Sequence, residues 1–336
     1  MSDLSSYLVI GSGSIARRHI ANLKKLYPGT AVACISASGR HVQPDEVGAD
    51  VTYLDIKDTA QTYFKFAIVA SPSPFHLHHA TELLNRGIPV LIEKPLSNCL
   101  STFAAYREQL ITNQQKIGVA YNLRYLTSAV YLKKLLEQKI LGTLYSVFID
   151  VGQYLPDWRP ASDYRSNVSA QKKLGGGVLL ELSHEIDYLT WLFGPFDNAF
   201  CNTRTTGALE IDVEDRVAAI LSINNGLIAQ LNMDFLQRAP TRVCKIVGEF
   251  GTLVWNLLNN SIELRKSKEQ QETIFSDPEY DYNRMYLDQL VHFSKVGAGG
   301  APEVGLQQGL YVLQVIDALK RSAESNQNIA IGDFIK

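Results

Sequence analysis

One glycine-rich turn near the start of the chain constrains the fold more than any other feature. A short apolar run, Tyr7 to Ile10, leads into the turn, and helical spacing of apolar residues follows through Leu26 until Pro28-Gly29 stops it. A second apolar run, Ala31 to Ile35, comes at the distance that a parallel β-sheet needs. Strand, turn, helix and strand in this order predict the first unit of a doubly wound α/β fold.

The same alternation continues over the next hundred residues. Further strands are predicted at Phe66 to Ala70, Val90 to Ile92 and Ile117 to Tyr121. A helix is predicted from about Pro74 to Arg86, with Ser73 as its N-cap and Pro74 as its first helical residue. We therefore predict an N-terminal Rossmann domain with a doubly wound parallel sheet over residues 1–122.

The pattern changes after Leu144. Long alternating runs predict strands at Tyr145 to Val151, Arg216 to Ser222 and Leu227 to Met233. Asn224-Asn225-Gly226, between the last two runs, is typical of a hairpin turn. Helices are predicted at Val178 to Phe193, Asn283 to Lys295 and Gln307 to Glu324. We predict that residues 123–336 form an α/β substrate and oligomerisation domain with a large open, mostly antiparallel sheet. We expect its C-terminal helices to pack back on the first domain.

The charge balance and the cysteines exclude several classes of protein. The chain has 32 Lys and Arg against 34 Asp and Glu, without the basic excess that binding to nucleic acid favours. Its four cysteines lie far apart and form no pair typical of a zinc or redox site. The N-terminus lacks the basic and apolar regions of a signal peptide, and no apolar run approaches the roughly 18 residues of a membrane span. We expect a soluble, cytoplasmic protein that binds neither nucleic acid nor membrane.

The glycine turn itself has the GxGxxA pattern of dinucleotide-binding sites. Gly11 permits a tight turn, Gly13 lets a pyrophosphate approach the backbone, and Ala16 allows close packing of the helix. The N-terminus of that helix favours phosphate charge. We expect dinucleotide contacts from Gly11, Gly13, Ser14, Ile15, Ala16 and Arg17.

The end of the second predicted strand indicates which dinucleotide binds. An NAD site usually offers an acid there to the ribose hydroxyls, but this chain has Ser36, Ser38 and Arg40. Two hydroxyls and a guanidinium suit a 2′-phosphate. We expect NADP to be preferred, with NAD possible. The alternative is that Arg40 is an ordinary solvated loop residue.

Three further motifs resemble those of the Gfo/Idh/MocA oxidoreductase family, and the resemblance covers nearly the whole chain. They are Ala70-Ser-Pro-Ser-Pro-Phe-His76, Glu93-Lys94-Pro95, and Gly175-Gly-Gly177 leading to His184-Glu-Ile-Asp187. The resemblance implies a Rossmann domain followed by an open-sheet α/β domain, which together oxidise or reduce sugars and polyols with a nicotinamide cofactor. The stretches 154–165 and 181–187 are similar to the branch associated with surface-polysaccharide and nucleotide-sugar enzymes.

Lys94 follows a predicted strand at the carboxyl edge of the sheet, where parallel sheets bind ligands. An ammonium there can donate to a carbonyl oxygen as hydride moves. The resemblance implies that Lys94 positions the reacting hydroxyl and that Pro95 fixes the bend, often through a cis peptide. It also implies a cofactor pocket lined by Ser71, Pro72, Ser73, His76, Glu93, Lys94 and Asn122.

His184 lies on a predicted helix after the three glycines, and its imidazole can exchange a hydroxyl proton near neutral pH. Glu181 and Asp187 stand three residues before and after it on the same helical face. Many family members carry an Asp four residues before the histidine, where this chain has Leu180. Either Glu181 or Asp187 could therefore orient His184. We expect Lys94, His184 and these two acids to form the catalytic set in a cleft between the domains.

Aromatic and arginine side chains cluster near these motifs. Aromatic faces pack against sugar rings, and arginine matches phosphate or carboxylate. We expect a phosphorylated or nucleotide-linked sugar to contact Tyr121, Arg124, Tyr154, Trp158, Arg159, Tyr164 and Arg165. No metal is expected, because no acid or cysteine joins His76, His78 and His79 at ligand spacing.

These features favour an NAD(P)-dependent enzyme that interconverts a secondary alcohol and a ketone on a sugar. One alternative is a family member whose tightly bound nicotinamide is an internal redox carrier, as in family glycosidases. Another is a dinucleotide-sensing regulatory protein, although Lys94 and His184 argue against it because a sensor needs no proton relay. An open sheet with an uncovered apolar face, supplied by runs such as Val217 to Leu221, predicts a homo-oligomer, either a dimer or a tetramer.

Overall fold

The computed structural model describes residues 6–223, 226–268 and 270–332. The chain divides into two compact units. The first consists of Met1–Asn122 and Asn283–Leu313, and the second of Leu123–Tyr282 and Gln314–Lys336. Within the described part of the chain, every helix is too short or too polar to span a lipid bilayer.

Nine α-helices, numbered in chain order, occur among the described residues. They are α1 (Ser14–Leu26), α2 (Pro44–Val47), α3 (His76–Asn85), α4 (Leu100–Thr112), α5 (Thr127–Glu137), α6 (Val178–Glu181), α7 (Ser183–Phe193), α8 (Arg284–Phe293) and α9 (Leu306–Ser325). Helices α1 to α4 and α8 belong to the first unit, and α5 to α7 belong to the second.

The first unit contains a six-stranded sheet in which every pair of neighbours is parallel. Its strands are β1 (Ser6–Ile10), β2 (Ala31–Ile35), β3 (Val51–Tyr53), β4 (Phe64–Val69), β5 (Val90–Ile92) and β6 (Ile117–Val119). Their order is β3-β2-β1-β4-β5-β6, which is that of a Rossmann fold. The predicted doubly wound parallel sheet is confirmed.

Burial explains why this sheet forms. Every residue of β1 is buried, as expected of a parallel strand that is covered on both faces. Helix α1 places Ala16, Ile20 and Leu23 on one side, and each is fully buried in a core that includes Val9. Burying a large apolar side chain of this kind contributes about 1.5 to 3 kcal/mol. The helix that follows the glycine turn is thereby fixed to the sheet.

The second unit contains a nine-stranded sheet that is antiparallel except for the pair β7 and β10. Its strands are β7 (Leu144–Gly152), β8 (Asn198–Arg204), β9 (Arg216–Ser222), β10 (Ile228–Asp234), β11 (Thr241–Gly248), β12 (Gly251–Asn256), β13 (Ser261–Arg265), β14 (Gln271–Ser276) and β15 (Ile329–Ala330). Their order is β14-β13-β12-β11-β7-β10-β9-β8-β15. The predicted open, mostly antiparallel sheet is confirmed.

Strands β9 and β10 pair antiparallel, as the hairpin pattern predicts. Asn224 and Asn225 themselves lie outside the described residues. Burial alternates along β9, so Val217, Ala219 and Leu221 are buried while Ala218 and Ile220 are exposed. Within the run Val217 to Leu221, Ala218 and Ile220 therefore supply the exposed surface, because successive side chains of a strand point to opposite faces.

Two helix predictions also need correction. The helix predicted from Val178 to Phe193 is two helices, because Leu182 leaves helical geometry (φ −95°, ψ 27°) and accepts from Glu185 N–H, three residues on, at 3.2 Å. Ser73 is not the N-cap of α3, which begins only at His76 after the 3₁₀ turn Ser73–Phe75. Ser73 lies inside that turn, whose N-cap is Pro72, and among the described residues its hydroxyl has no hydrogen-bond partner.

Candidate active site

Five loops of the first unit leave the parallel sheet at the same, carboxyl edge. Backbone N–H to O bonds of 2.7 to 2.8 Å tie these loops to neighbouring strands, joining Gly11 to Ile35, Ala70 to Ile10, Glu93 to Val69 and Ala120 to Ile92. The residues predicted to bind the cofactor follow β1, β2, β4, β5 and β6 directly. The structure thus brings the glycine turn and the Glu93-Lys94 motif of this unit to one edge of one sheet.

The glycine turn fits a dinucleotide. Gly11 has a φ of +131°, and a Cβ at this position would lie 2.4 Å from the carbonyl oxygen of Ala70, so only glycine is tolerated. Gly13 is the N-cap of α1 in extended geometry, and a Cβ there would have no neighbour within 4 Å. Ser14 and Arg17 are exposed, Ile15 is partly buried, and Ala16 is buried. The first turn of α1 therefore presents backbone N–H groups beside open space, as a pyrophosphate requires.

The predicted 2′-phosphate residues lie after β2. Ser36 Oγ is 3.1 Å from Ser38 Oγ and 3.5 Å from Ser12 Oγ. Arg40 is exposed, and its guanidinium lies 3.5 Å from Glu46, an acid that the sequence analysis did not consider. An exposed ion pair of this kind is weak. The guanidinium can leave Glu46 for a stronger anion.

His76 joins the loops that follow β4 and β5. Its Nδ1 lies 2.9 Å from Pro95 O and its Nε2 lies 2.7 Å from Ser71 O. Burial lowers the pKa of His76, although both carbonyls oppose this effect. Ser71 and Ser73 are also buried, and Pro72 is partly exposed. The two hydrogen bonds of His76 hold these loops together. Its side chain is only 1% exposed, so it offers almost no surface to a ligand.

Glu93 and Lys94 follow β5, and Glu93 is held by a buried hydrogen bond with His19. His19 Nε2 lies 2.7 Å from Glu93 Oε1, and Glu93 Oε2 accepts from Lys94 N–H at 3.1 Å. Burial opposes ionisation of Glu93, but the hydrogen bond and charge of His19, with the charges of Lys94 and His76, hold its pKa below the ordinary value. The Lys94–Pro95 peptide is cis, as the family resemblance implies. The sequence analysis missed His19, whose only signal is its place on the buried side of α1.

The second unit places His184 in the first turn of α7, where it is partly buried. Glu181, also partly buried, ends α6. Asp187 is fully buried and accepts two hydrogen bonds from Arg124, from Nε at 3.0 Å and from Nη2 at 2.6 Å. Burial raises the pKa of Asp187, and the Arg124 guanidinium opposes that rise. One of the two acids predicted to orient His184 is therefore held by an arginine.

The residues predicted to bind substrate differ in how much of their surface is exposed. Tyr121 is 0% exposed and Arg124 is 7% exposed, so neither offers appreciable surface to a ligand. Asn122, a predicted cofactor residue, is similarly buried. Arg159 is exposed. Arg165 is also exposed, and it pairs with Asp163 at 2.9 Å and with Glu210 at 2.7 Å.

Three aromatic residues between positions 154 and 165 contact other residues of the chain. The guanidinium of Arg238 lies 3.6 Å from the ring centre of Tyr154. Trp158 donates through Nε1 to Gln153 O at 3.2 Å, and Tyr164 OH accepts from Glu210 N–H at 3.5 Å. These contacts fix the rings in an otherwise irregular stretch of short 3₁₀ turns.

The triple glycine packs against protein. A Cβ on Gly176 would lie 2.4 Å from Val168 O, and one on Gly177, whose φ is +105°, would lie 2.5 Å from Glu214 Oε2. Glu214 Oε1 accepts from Leu179 N–H at 3.0 Å and so caps α6. Among the described residues, no three side chains of His, Cys, Asp or Glu are grouped to hold a metal ion.

Family comparison matches both parts of the chain. A model described as the oxidoreductase family's NAD-binding Rossmann fold matches residues 5–121. A model described as the same family's C-terminal alpha/beta domain matches residues 133–331. Together they cover most of the chain.

The chain is also similar to individual proteins. An uncharacterized oxidoreductase of Synechocystis is 28% identical over 73% of this chain and 70% of its own length. An inositol 2-dehydrogenase of Acidiphilium cryptum is 25% identical over 87% and 85%. The crystal structure of the WlbA dehydrogenase from Bordetella pertussis, in complex with NADH and UDP-GlcNAcA, superposes with a TM-score of 0.81 at 21% identity over 98% of each chain. Matches to some other relatives span about half of those proteins, 48% to 54%.

The sequence motifs, the strand order of the first sheet and both family models indicate the same family. The chain belongs to the Gfo/Idh/MocA family of oxidoreductases.

Proposed function

We propose that this protein is an NAD(P)-dependent enzyme that interconverts a secondary alcohol and a ketone on a phosphorylated or nucleotide-linked sugar. The observation that carries the proposal is that the glycine turn and the Glu93-Lys94 motif leave the same edge of one parallel sheet. Family membership supports the reaction class. The names of an inositol dehydrogenase and of a dehydrogenase bound to UDP-GlcNAcA support a sugar or polyol as substrate.

In this proposal residues 1–122 bind the dinucleotide, and residues 123–336 supply substrate binding and oligomerisation. A bound nicotinamide supplies the acceptor or donor of hydride. Lys94 holds the substrate oxygen through its ammonium, and His184 exchanges the hydroxyl proton, which must leave as the alcohol is oxidised. The buried Glu93 fixes the backbone of Lys94 by accepting its N–H.

We propose NADP as the preferred cofactor. The hydroxyls of Ser36 and Ser38 are neighbours, and no acid lies among residues 36–40 to bind the ribose hydroxyls. The Arg40 guanidinium lies beside the Glu46 carboxylate. A 2′-phosphate, with its greater charge, would compete for that guanidinium.

We further propose a homo-oligomer that forms through the open face of the second sheet. Phe200, Ile220 and Ile228 are 38%, 44% and 43% exposed. Phe200 lies opposite Ile220 across β8 and β9, and Ile228 lies diagonally from Ile220 on β10, so the three share one face. An exposed apolar patch on one face of a sheet is typical of a protein interface. The cytoplasmic location stays a prediction.

A substrate panel tests the proposed reaction. Purified protein is mixed with NAD⁺ or NADP⁺ and with myo-inositol, glucose 6-phosphate or UDP-N-acetylglucosaminuronic acid, and reduced nicotinamide is followed by its absorbance. We expect turnover of a charged sugar to exceed that of myo-inositol. Tight dinucleotide binding with no turnover of any panel compound would contradict the proposal and favour the dinucleotide-sensing alternative.

A further inference from the structure

Helix α7 carries two fully buried carboxylates in the helical turn that begins at His184. Glu185 and Asp187 are both 0% exposed. A buried carboxylate is costly unless it is paired, and each of these is paired with an arginine from another element of the second unit. The sequence analysis considered only Asp187.

The first pair joins α7 to the residues that precede α5. Asp187 and Arg124 form a two-point contact, in which Oδ2 accepts from Nε at 3.0 Å and Oδ1 accepts from Nη2 at 2.6 Å. The guanidinium also lies 5.6 Å from the ring centre of Trp191, one turn further along α7. A planar fork held at two atoms fixes direction as well as distance.

The second pair joins α7 to the sheet. Glu185 Oε1 accepts from Arg242 Nε at 2.7 Å, and Arg242 lies on β11 with its side chain 25% exposed. Among the described residues, Glu185 Oε2 has no hydrogen-bond partner although it is buried. In the sheet, Arg242 pairs with Val151 of the neighbouring strand β7, and this pairing fixes the backbone of Arg242.

Stability alone is a poor explanation of these pairs. Removing two charges from water offsets most of their attraction, and apolar residues of similar size are often as stabilising. Two pairs on different sides of a short helix do, however, fix how α7 is rotated about its axis and where it lies along that axis. His184 stands directly before Glu185 and three residues before Asp187, so the direction of its Cα–Cβ bond is set by that placement.

We infer that Arg124–Asp187 and Arg242–Glu185 are positioning pairs that orient His184 through the backbone of α7. The inference rests on the proposed function, in which His184 exchanges the hydroxyl proton. It departs from the expectation that Asp187 orients His184 directly, because each oxygen of Asp187 accepts a hydrogen bond from Arg124.

The primary test observes His184 without any substrate. Protein with isotope-labelled histidine has seven imidazoles, and the His184 signal is assigned by its loss in His184→Ala. The variants are the double change Glu185→Met with Arg242→Met and the double change Arg124→Met with Asp187→Met, each of which removes one pair and leaves no charge of that pair behind. Glu263→Gln, which breaks an exposed Arg–Glu pair on β13, is the matched control. Leu253→Ala, a fully buried site on β12, controls for lost stability.

We expect one sharp His184 signal in the wild type and in both controls. In the two positioning variants we expect it to be broadened or split, while its titration midpoint stays where it was. An unchanged signal in both variants would overturn the inference. A sharp signal with a shifted midpoint would also overturn it, because the carboxylates would then act on the proton of His184 and not on its position.

Kinetics on a panel compound that turns over provide the second test. We expect kcat to fall about 10- to 100-fold in the positioning variants, as displacing a catalytic group by about 1 Å does. We expect KM and cofactor affinity to change little and the pH profile to keep its midpoint. If His184→Ala is itself fully active, the proposed function fails. If His184→Ala is inactive while both variants match the wild type, only the positioning role fails.

Discussion

His19 and Glu93 form a buried pair, with Nε2 and Oε1 2.7 Å apart, that joins the helix after the glycine turn to the residue before Lys94. The other carboxylate oxygen of Glu93 accepts from the N–H of Lys94 itself. Helix α1 and the backbone of Lys94 are therefore fixed to each other within the first unit. A dinucleotide bound at the N-terminus of α1 would meet a lysine whose backbone is already in place.

The two glycines of the turn should respond differently to alanine. Gly11→Ala should cost about 2 to 4 kcal/mol of stability, because the new Cβ meets the Ala70 carbonyl at 2.4 Å in a backbone geometry that favours glycine. Gly13→Ala should cost only about 0.5 to 1 kcal/mol, the usual difference between glycine and alanine at an N-cap, since its Cβ enters open space. Its methyl group stands where a pyrophosphate must approach, so dinucleotide affinity should fall at least about tenfold. Urea unfolding and calorimetric titration measure the two effects, and equal behaviour of the variants would contradict this account.

Arg40 and Glu46 provide a test of cofactor choice. Arg40→Ala should weaken NADPH binding by about 1.5 to 3 kcal/mol and leave NADH binding nearly unchanged, because only NADPH carries the 2′-phosphate. Glu46→Gln, which removes the carboxylate 3.5 Å from Arg40, should tighten NADPH binding a few-fold. Calorimetry with both cofactors checks this. Tighter binding of NADH than of NADPH by the wild type would refute the proposed preference.

His79 should make the protein less stable in mild acid. Burial, with the charges of His78 and His76, lowers the pKa of His79 to about 4. Its folded pKa is below its unfolded pKa of about 6.5, so its contribution is complete above pH 6.5 and is lost as the pH falls towards 4. Between pH 7.5 and 5 this group should account for about 1 to 2 kcal/mol.

The neighbouring histidine is the matched control for this effect. His79→Gln should reduce the loss of unfolding free energy between pH 7.5 and 5, as measured by urea unfolding. His78→Gln should not, because the His78 side chain is 54% exposed. If both variants keep the wild-type slope, the burial of His79 does not determine the acid limb.

The exposed face of the second sheet should determine the oligomeric state. Light scattering should give at least twice the chain mass of 37.4 kDa for the wild type. Ile220→Asp should weaken this association, because it places a charge in the centre of the apolar patch. Tyr63→Asp, at an exposed aromatic residue of the first unit, should leave it unchanged. A monomeric wild type at micromolar concentration would contradict the proposed interface.

Local pattern predicted five of the six strands of the first sheet, all except β3, and the reason is physical. The strand predicted at Ala31 to Ile35 is observed with those bounds, because a short apolar run between turn residues has few alternatives. The strands of the second unit from β11 to β14 were not predicted. Their burial alternates only partly, as in Thr241–Gly248, so the sequence lacks a clear two-residue period.

The site residues that were missed share one property. His19 pairs with a residue 74 positions away, and Glu185 with one 57 positions away. Pairs this distant depend on the tertiary fold, which local spacing does not encode. The glycine turn and Lys94 could be found because each is recognisable from its immediate neighbours.

The most direct test of the central claim measures turnover in Lys94→Ala, His184→Ala and the double variant. Residues that act as one proton-handling unit are not additive, and a positioned base typically contributes about 10² to 10⁴-fold. With a panel compound and the better cofactor, we expect either single variant to lose most of kcat, the double variant to be hardly slower, and cofactor affinity to stay within a few-fold. Near wild-type kcat in both single variants would contradict the account and assign the proton transfer to other residues, with Glu181 the first to test.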